Sequence, residues 1–200
     1  MSIATIRQNT FPFRKWLIYN SIGWLLGFIF ILVIASTFDA LGIHNLQFFL
    51  GAGIGAGVGL AQWMVLRKLN DIGGRWILFT VVGLGIPFLI ADILGIIGIE
   101  SLIEDLQVGI IAGGLLAAYL QSKILKSYGV TTSQWITASL LAWILIGLLV
   151  YGMRFTDLIW HNRWFGFFTN LAILLSGGPI IGWITGRLLT SNLKLKGLMD

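Results

Sequence analysis

The sequence predicts an all-α integral membrane protein, with six transmembrane helices arranged as three tandem helical hairpins. The first observation is composition, which is 57% hydrophobic and 10% charged with a mean hydropathy of +0.91. A typical soluble domain carries roughly 25% charged residues. The second observation is a pattern of tryptophan, glycine and basic residues that recurs three times along the 200 residues. Internal repetition at a fixed period is typical of an array of similar structural units.

Six apolar stretches are each long enough to cross a membrane, because a helix needs about 20 residues to span about 30 Å of hydrocarbon. The predicted spans are Trp16–Ala35, Phe48–Leu66, Trp76–Ile97, Gln107–Leu125, Trp135–Met153 and Phe167–Leu189. The connections between them are about 8 to 13 residues long, which is too short for a separate soluble domain. Residues 1–200 are therefore expected to form a single transmembrane domain.

The repeat is clearest at the two ends of each unit. A unit opens with a polar residue followed by tryptophan, and it closes with an aromatic residue followed four positions later by a base. The opening pairs are Lys15-Trp16, Arg75-Trp76 and Gln134-Trp135, and the closing pairs are Trp63/Arg67, Tyr119/Lys123 and Trp183/Arg187. The units span residues 15–68, 75–126 and 134–190. Because each unit contains two spans, all three hairpins enter from one side, with pseudo-threefold symmetry about the membrane normal.

Lysine and arginine are concentrated at one end of the predicted bundle. Of the 13 bases, all but Arg154 and Arg163 lie near the termini or in the connections around residues 68–75 and 126–134. In short loops this asymmetry sets topology, with the basic side in the cytoplasm. Both termini are therefore expected to be cytoplasmic, and the short loops fit a bacterial inner membrane. The net charge of +5 indicates contact with anionic membrane lipids rather than with nucleic acid.

Glycine is abundant in the second span of each hairpin. The small-residue positions are Gly51, Gly53, Gly55, Gly57 and Gly59 in span two, Gly113 and Gly114 in span four, and Ser176, Gly177, Gly178, Gly182 and Gly186 in span six. Small residues let helix backbones approach where apolar side chains gain nothing by leaving lipid. The second helices are therefore expected to form the inner contact layer of the bundle.

The closing pairs of the repeat have two interpretations. At a spacing of four, the aromatic residue and the base share one helix face at the membrane interface, where aromatic rings anchor and long bases extend toward water. The pairs are simple anchors, or they are three equivalent pockets for a lipid headgroup phosphate. The candidate headgroup residues are Trp63, Arg67, Tyr119, Lys123, Trp183 and Arg187.

Polar residues recur at one position within the first span of each hairpin. Asn20, Thr80 and Ser139 each follow an opening tryptophan by four residues, which places them on one helix face. One interpretation is that they form hydrogen bonds between helices, as small polar residues commonly do in membranes. The other is that they line a polar cavity together with Gln62.

Asp92 is an acidic residue predicted to lie within a span, close to the end away from most of the bases. An acid in such a place is a functional candidate, and Arg154 is its expected partner. The pair is a structural tie, or it is a site that handles protons or ions.

Several chemistries are excluded by what the sequence lacks. There is no cysteine, and His44 and His161 have no metal-ligand spacing around them. The motifs of intramembrane serine proteases are also missing, so we expect no enzyme activity, no metal and no cofactor.

Two functions remain open. The first is a binding or packing module for lipid, an apolar ligand or another membrane subunit, including a second copy of the chain. It is favoured by the scarcity of intramembrane charge and by nine Trp and 13 Phe residues. The alternative is a small-solute or ion- or proton-coupled transporter or channel. A continuous polar cavity would favour transport, and a dry centre would favour the binding module.

Overall fold

The computed structural model describes residues 11–44, 46–70, 72–99, 105–160 and 162–193, and this part of the chain is helical with short connections. Its helices are α1 (Phe13–Ala40), α2 (Phe48–Asn70), α3 (Arg75–Ile96), α4 (Leu106–Leu125), α5 (Thr132–Gly152), α6 (Thr156–Ile159) and α7 (Arg163–Asn192). All except the four-residue α6 are long and apolar enough to span a membrane. The prediction of six long apolar helices is confirmed.

Two of the long helices extend further than the hydropathy of the sequence predicts. Helix α1 has 28 residues and continues past Ala35 through a polar segment, where the Thr37 hydroxyl donates to the Val33 carbonyl at 2.7 Å. It ends just before Gly42, which adopts a left-handed φ of 78° that most other residues avoid. Helix α7 has 30 residues and begins after Asn162, whose side-chain oxygen accepts the Trp164 backbone N–H at 2.9 Å. Local hydrogen bonding therefore sets these ends, not the limit of the apolar run.

The six long helices form a closed antiparallel ring. Each long helix packs against its neighbours in sequence, and α7 packs against both α5 and α1 to close the ring. We call the end where α1, α3 and α5 begin the basic end, and the opposite end the distal end. The basic end carries most of the described lysines and arginines.

The glycines of α2 face two different neighbours. A methyl group on Gly57 would overlap backbone atoms of Gly23 and Gly27 in α1, whereas one on Gly51 would overlap the Leu84 carbonyl in α3. Gly53 likewise contacts α1, and Gly55 and Gly59 contact α3. The two interleaved glycine series of α2 thus bring two helices close on opposite sides.

The expectation that the second helices form an inner layer is wrong. Helix α2 is the most buried of the six, but α7 is no more buried than α1. In the described part of the chain, α2, α4 and α7 each pack mainly between two ring neighbours rather than on one another. The physical reason is that glycine contacts join helices in pairs, so the centre of the ring is occupied by large side chains from all six.

Candidate functional site

Three buried tryptophans close the basic half of the ring. Trp16, Trp76 and Trp135 lie in the first turns of α1, α3 and α5, and each is at most 1% exposed. The rings of Trp76 and Trp135 meet edge to face, with 5.8 Å between their centroids. Three fully buried leucines near the ends of α2, α4 and α7 belong to the same cluster, namely Leu66, Leu125 and Leu189. We call these six residues the tryptophan plug.

Each tryptophan of the plug donates its indole N–H to a polar side chain on a neighbouring helix. The bonds are Trp16 Nε1 to Thr185 Oγ1 at 3.0 Å, Trp76 Nε1 to Gln62 Oε1 at 3.0 Å and Trp135 Nε1 to Gln121 Oε1 at 3.2 Å. In all three, the donor lies on α1, α3 or α5 and the acceptor on α7, α2 or α4. A buried indole N–H needs such a partner, because an unpaired polar group away from water is costly.

Two glutamines extend these bonds into a network. Gln62 donates from Nε2 to Asn20 Oδ1 at 2.8 Å, and Gln121 donates from Nε2 to Thr80 Oγ1 at 2.9 Å. Ser139 is buried at the corresponding position of α5. The buried polar residues therefore form hydrogen bonds between helices, Asn20 with Gln62 and Thr80 with Gln121.

Sequence reasoning missed Gln121 and Thr185. A signal was present, because Gln62 and Gln121 are separated by 59 residues, as are the buried Leu66 and Leu125. It was hidden because the more conspicuous aromatic–base pairs recur at a different spacing.

An apolar cavity of about 200 Å³ lies beyond the plug, in the distal half of the ring. All six long helices contribute to its wall, which includes Phe28 of α1, Ile54 of α2, Leu84 of α3, Ile110 of α4, Trp143 of α5 and Leu174 of α7. All 15 lining residues are apolar or glycine, and the polar N–H groups among their side chains are those of the indole rings of Trp24 and Trp143. One of these, Trp24 Nε1, donates to the Leu174 carbonyl at 2.7 Å.

The floor of the cavity is aromatic. The rings of Trp24 and Trp143 lie with their centroids 6.2 Å apart, and both residues are largely buried. An apolar cavity of about 150 Å³ stays dry and accepts benzene or xenon. A cavity of this size and chemistry is therefore suited to an apolar guest.

The aromatic–base pairs lie around the rim of the basic end. The Arg67 guanidinium is 4.3 Å from the ring centre of Trp63, and the Lys123 ammonium is 4.6 Å from that of Tyr119. The Arg187 guanidinium lies 5.9 Å from the Trp183 ring. All three bases are exposed. The spacing of four does place each base over its aromatic ring, as a cation–π contact.

Arg187 also contacts a second ring, since its guanidinium lies 5.2 Å from the centre of the Phe13 ring on α1.

Both ion pairs found in the described residues, His44 with Asp39 and Arg154 with Asp105, are at the distal end. Among the described residues, none of the bases Arg67, Lys123 and Arg187 forms an ion pair.

Asp92 does not pair with Arg154, so that prediction is wrong. The Asp92 carboxylate is 8% exposed and accepts the backbone N–H groups of Gln47 at 2.7 Å and Phe48 at 2.8 Å. It therefore caps the first turn of α2 from the end of α3. Arg154 instead donates to Asp105 at 3.0 Å, in an exposed pair. The free N–H groups at a helix N-terminus can serve as the partners of a carboxylate in place of a basic side chain, so no second charge is required.

No group of three potential metal ligands is brought together in the described part of the chain. His44 lies beside Asp39, with 3.0 Å between ring nitrogen and carboxylate oxygen, and His161 falls outside the described residues.

Taken together, the fold and the cavity define a class of protein, namely a ring of six long apolar helices with a plugged basic half and an apolar cavity in its distal half. Comparison with protein-family models, with curated proteins and with solved structures finds no match to this chain.

Proposed function

We propose that this protein is integral to a membrane and binds an apolar ligand in its central cavity without transforming it chemically. The observation that carries the proposal is the apolar cavity of about 200 Å³ with a wall built from all six long helices. The exposed faces of those helices are rich in Ile, Leu and Phe, which suits lipid rather than water. Surrounded by hydrocarbon, both the outside of the ring and its cavity select apolar partners.

The proposed architecture is three tandem hairpins with pseudo-threefold symmetry. It is supported by equivalent contacts in the three units. Around the closed ring, an indole from the first helix of each unit bonds to the second helix of the preceding unit, and the first unit follows the third. The acceptors Gln62, Gln121 and Thr185 are spaced by 59 and 64 residues, and so are Leu66, Leu125 and Leu189 of the plug. A repeat of contacts is stronger support than a repeat of residue types alone.

The proposed orientation places the basic end in the cytoplasm, as in a bacterial inner membrane. The rim bases Arg67, Lys123 and Arg187 then face the anionic headgroups of the cytoplasmic leaflet. Each such base contributes about 1 kcal/mol to membrane binding when well placed. The rim is in this proposal a set of lipid contacts that holds the ring at a fixed depth.

Transport of a hydrophilic solute has less support. A polar pathway would need free donors and acceptors along the axis, whereas Asn20, Thr80 and the two glutamines are buried and bonded to one another or to tryptophan. The three tryptophans also occupy the basic half of the ring. A solute would have to displace this plug to cross.

The proposal is tested with benzene as a small apolar probe of the purified protein in detergent. At a concentration ten times its dissociation constant, a ligand stabilises the folded state by about 1.4 kcal/mol, which raises the melting temperature of a protein of this size by about 3–6 °C. Ile110→Phe narrows the cavity and should remove most of this shift. Leu141→Phe adds the same ring on an exposed face of α5 and should keep it. Equal shifts in all three proteins would contradict the proposal.

A further inference from the structure

We propose that the ligand of the cavity is the end of one alkyl chain of a membrane phospholipid, which enters sideways between the distal halves of α1 and α7. This inference rests on the proposed function, because it requires a cavity that takes an apolar guest inside a membrane.

Helices α1 and α7 are tightly packed along the basic half of the ring. A methyl group on Gly186 would crowd Trp16, and one on Gly178 would crowd the backbone of Asn20 and the side chain of Trp24. The bond from Trp24 Nε1 to the Leu174 carbonyl joins the two helices at the level of the cavity floor. Up to this level, no chain could pass between them.

Beyond that level, the side of α7 that faces α1 is exposed. The helical spacing that runs through Gly178 continues through Leu174, Leu171 and Phe167, which are 37%, 38% and 56% exposed. On the other side, Phe28 and Ile31 of α1 line the cavity. From this exposure we place the opening of the cavity between α1 and α7 in the distal half, and we call it the lateral window.

The surroundings of the lateral window are mostly apolar, although Asn170 of α7 lies beside Leu171 and its Oδ1 is buried without a hydrogen-bond partner. Ile29, Leu32 and Val33 are exposed in the same half of α1, as are Phe167 and Leu171 in α7. In a membrane, such faces contact acyl chains. A guest that arrives through this window therefore comes from the hydrocarbon region of the distal leaflet.

The size of the cavity limits what part of a lipid it holds. If about 150 Å³ accepts a six-carbon ring, about 200 Å³ accepts roughly six to nine carbon atoms. That is too small for a sterol and for a whole lipid, but it suits the last part of one alkyl chain. The rest of the lipid stays in the bilayer, and its alkyl chain passes through the lateral window into the cavity.

A chain is also favoured energetically over an empty cavity. Residues that line a void lose dispersion contacts on one side, and a flexible alkyl chain restores them without having to shed water or break hydrogen bonds. The lining offers no free polar group that would prefer a more polar guest, since the Trp24 indole is already bonded.

The test uses a phospholipid with a photoreactive diazirine at the end of one chain, mixed into phosphatidylcholine and phosphatidylglycerol vesicles that contain the protein. Irradiation should label Leu84 and Phe88 of α3, which are each 2% exposed and lie across the ring from the window. Leu148 on the exposed face of α5 is labelled by any surrounding lipid and serves as the internal standard. Ile110→Phe should lower labelling of the cavity wall several-fold relative to Leu148, and Leu141→Phe should leave wall labelling unchanged.

Entry through the lateral window is tested by closing it. The chain has no cysteine, so Phe28→Cys and Leu171→Cys can be joined across the window by a short bismaleimide. The cross-linked protein should lose wall labelling, whereas each single cysteine treated with the same reagent should keep most of it. Undiminished labelling of the cross-linked protein would overturn this route.

The outcomes separate the two proposals. Suppose that benzene raises the melting temperature, that Ile110→Phe removes this rise, and that the cavity wall is not labelled. This result would overturn the proposal of a phospholipid chain and leave the proposed binding of an apolar ligand intact. Labelling of the wall by a photoreactive polyprenyl lipid, with none by the phospholipid, would do the same. If benzene does not raise the melting temperature and the cavity wall is not labelled, both proposals are contradicted.

Discussion

At the residue scale, the most informative side chains are those that satisfy buried polar groups. Gln62 accepts an N–H from Trp76 and donates one to Asn20, so one amide joins α2 to both of its neighbours. In hydrocarbon an unpaired polar group has no water to bond to, and each bond of this kind restricts how the helices pack. These residues therefore help to specify how the helices pack in the basic half.

Asp92 shows how an apparently functional acid is used in packing. Its carboxylate accepts two backbone N–H groups at the start of α2, where the helix dipole also favours a negative charge. We therefore expect Asp92→Asn to destabilise the protein by about 1–3 kcal/mol, because the amide loses the charge and one of the two acceptors. Thermal unfolding in detergent measures this.

Arg154→Gln provides the control for Asp92. It removes an exposed ion pair with Asp105, which is worth about 0–1 kcal/mol. Because Asp92 and Arg154 share no partner in the structure, the double substitution should cost the sum of the two single changes. A double variant that loses clearly less than the sum would restore the direct pairing of the two residues.

At the scale of the helices, glycine position decides which neighbours come close. The five glycines of α2 alternate between contacts with α1 and contacts with α3. The sequence shows the small residues, but it does not show that the two series serve different partners. That distinction depends on the order of helices around the ring.

Gly57→Ala tests the packing of α2 against α1. The added methyl group would overlap backbone atoms of Gly23 and Gly27, which cannot rotate away, so we expect a loss of about 1–3 kcal/mol. Gly95→Ala is the matched control, since nothing lies within 4 Å of its added methyl group. It should be neutral or stabilising by up to about 1 kcal/mol. Similar melting temperatures for the two variants would show that α1 and α2 are not closely packed.

At the scale of the whole molecule, the ring closes because α7 packs against α1 through Gly178, Gly182 and Gly186. Closure leaves the six helices around one axis, so that large side chains fill the basic half and leave an apolar cavity in the distal half. The same arrangement places the three aromatic–base pairs around one rim.

The proposed orientation is tested with single cysteines in this cysteine-free chain. Leu41→Cys and Leu158→Cys lie in exposed distal connections, and Gly74→Cys lies in an exposed connection at the basic end. On intact bacterial cells, a membrane-impermeant maleimide should label the two distal positions at once and residue 74 only after permeabilisation. Labelling of residues 74 and 158 from the same side would contradict an antiparallel ring that spans the membrane.

How much of the fold was predictable from sequence follows from the range of the forces involved. Six long helices were predictable because the length and hydropathy of each segment are local properties. The recurrence of Trp16, Trp76 and Trp135 is visible in the sequence, but their burial was not predicted. The position of Asn20 and Thr80 on the same helix face follows from the helical period.

The sequence by itself thus determined the number of long apolar helices, the position of the bases at one end and the faces that carry polar residues. Only the tertiary structure decided which helices are neighbours, that Asp92 binds the start of α2 rather than Arg154, and that Gln121 completes the network. It also decided that the centre holds an apolar cavity. The reason is that these features join residues far apart in the sequence, as Phe48 and Asp92 are by 44 positions. No local pattern specifies which of several possible partners a buried polar group or a glycine face will meet.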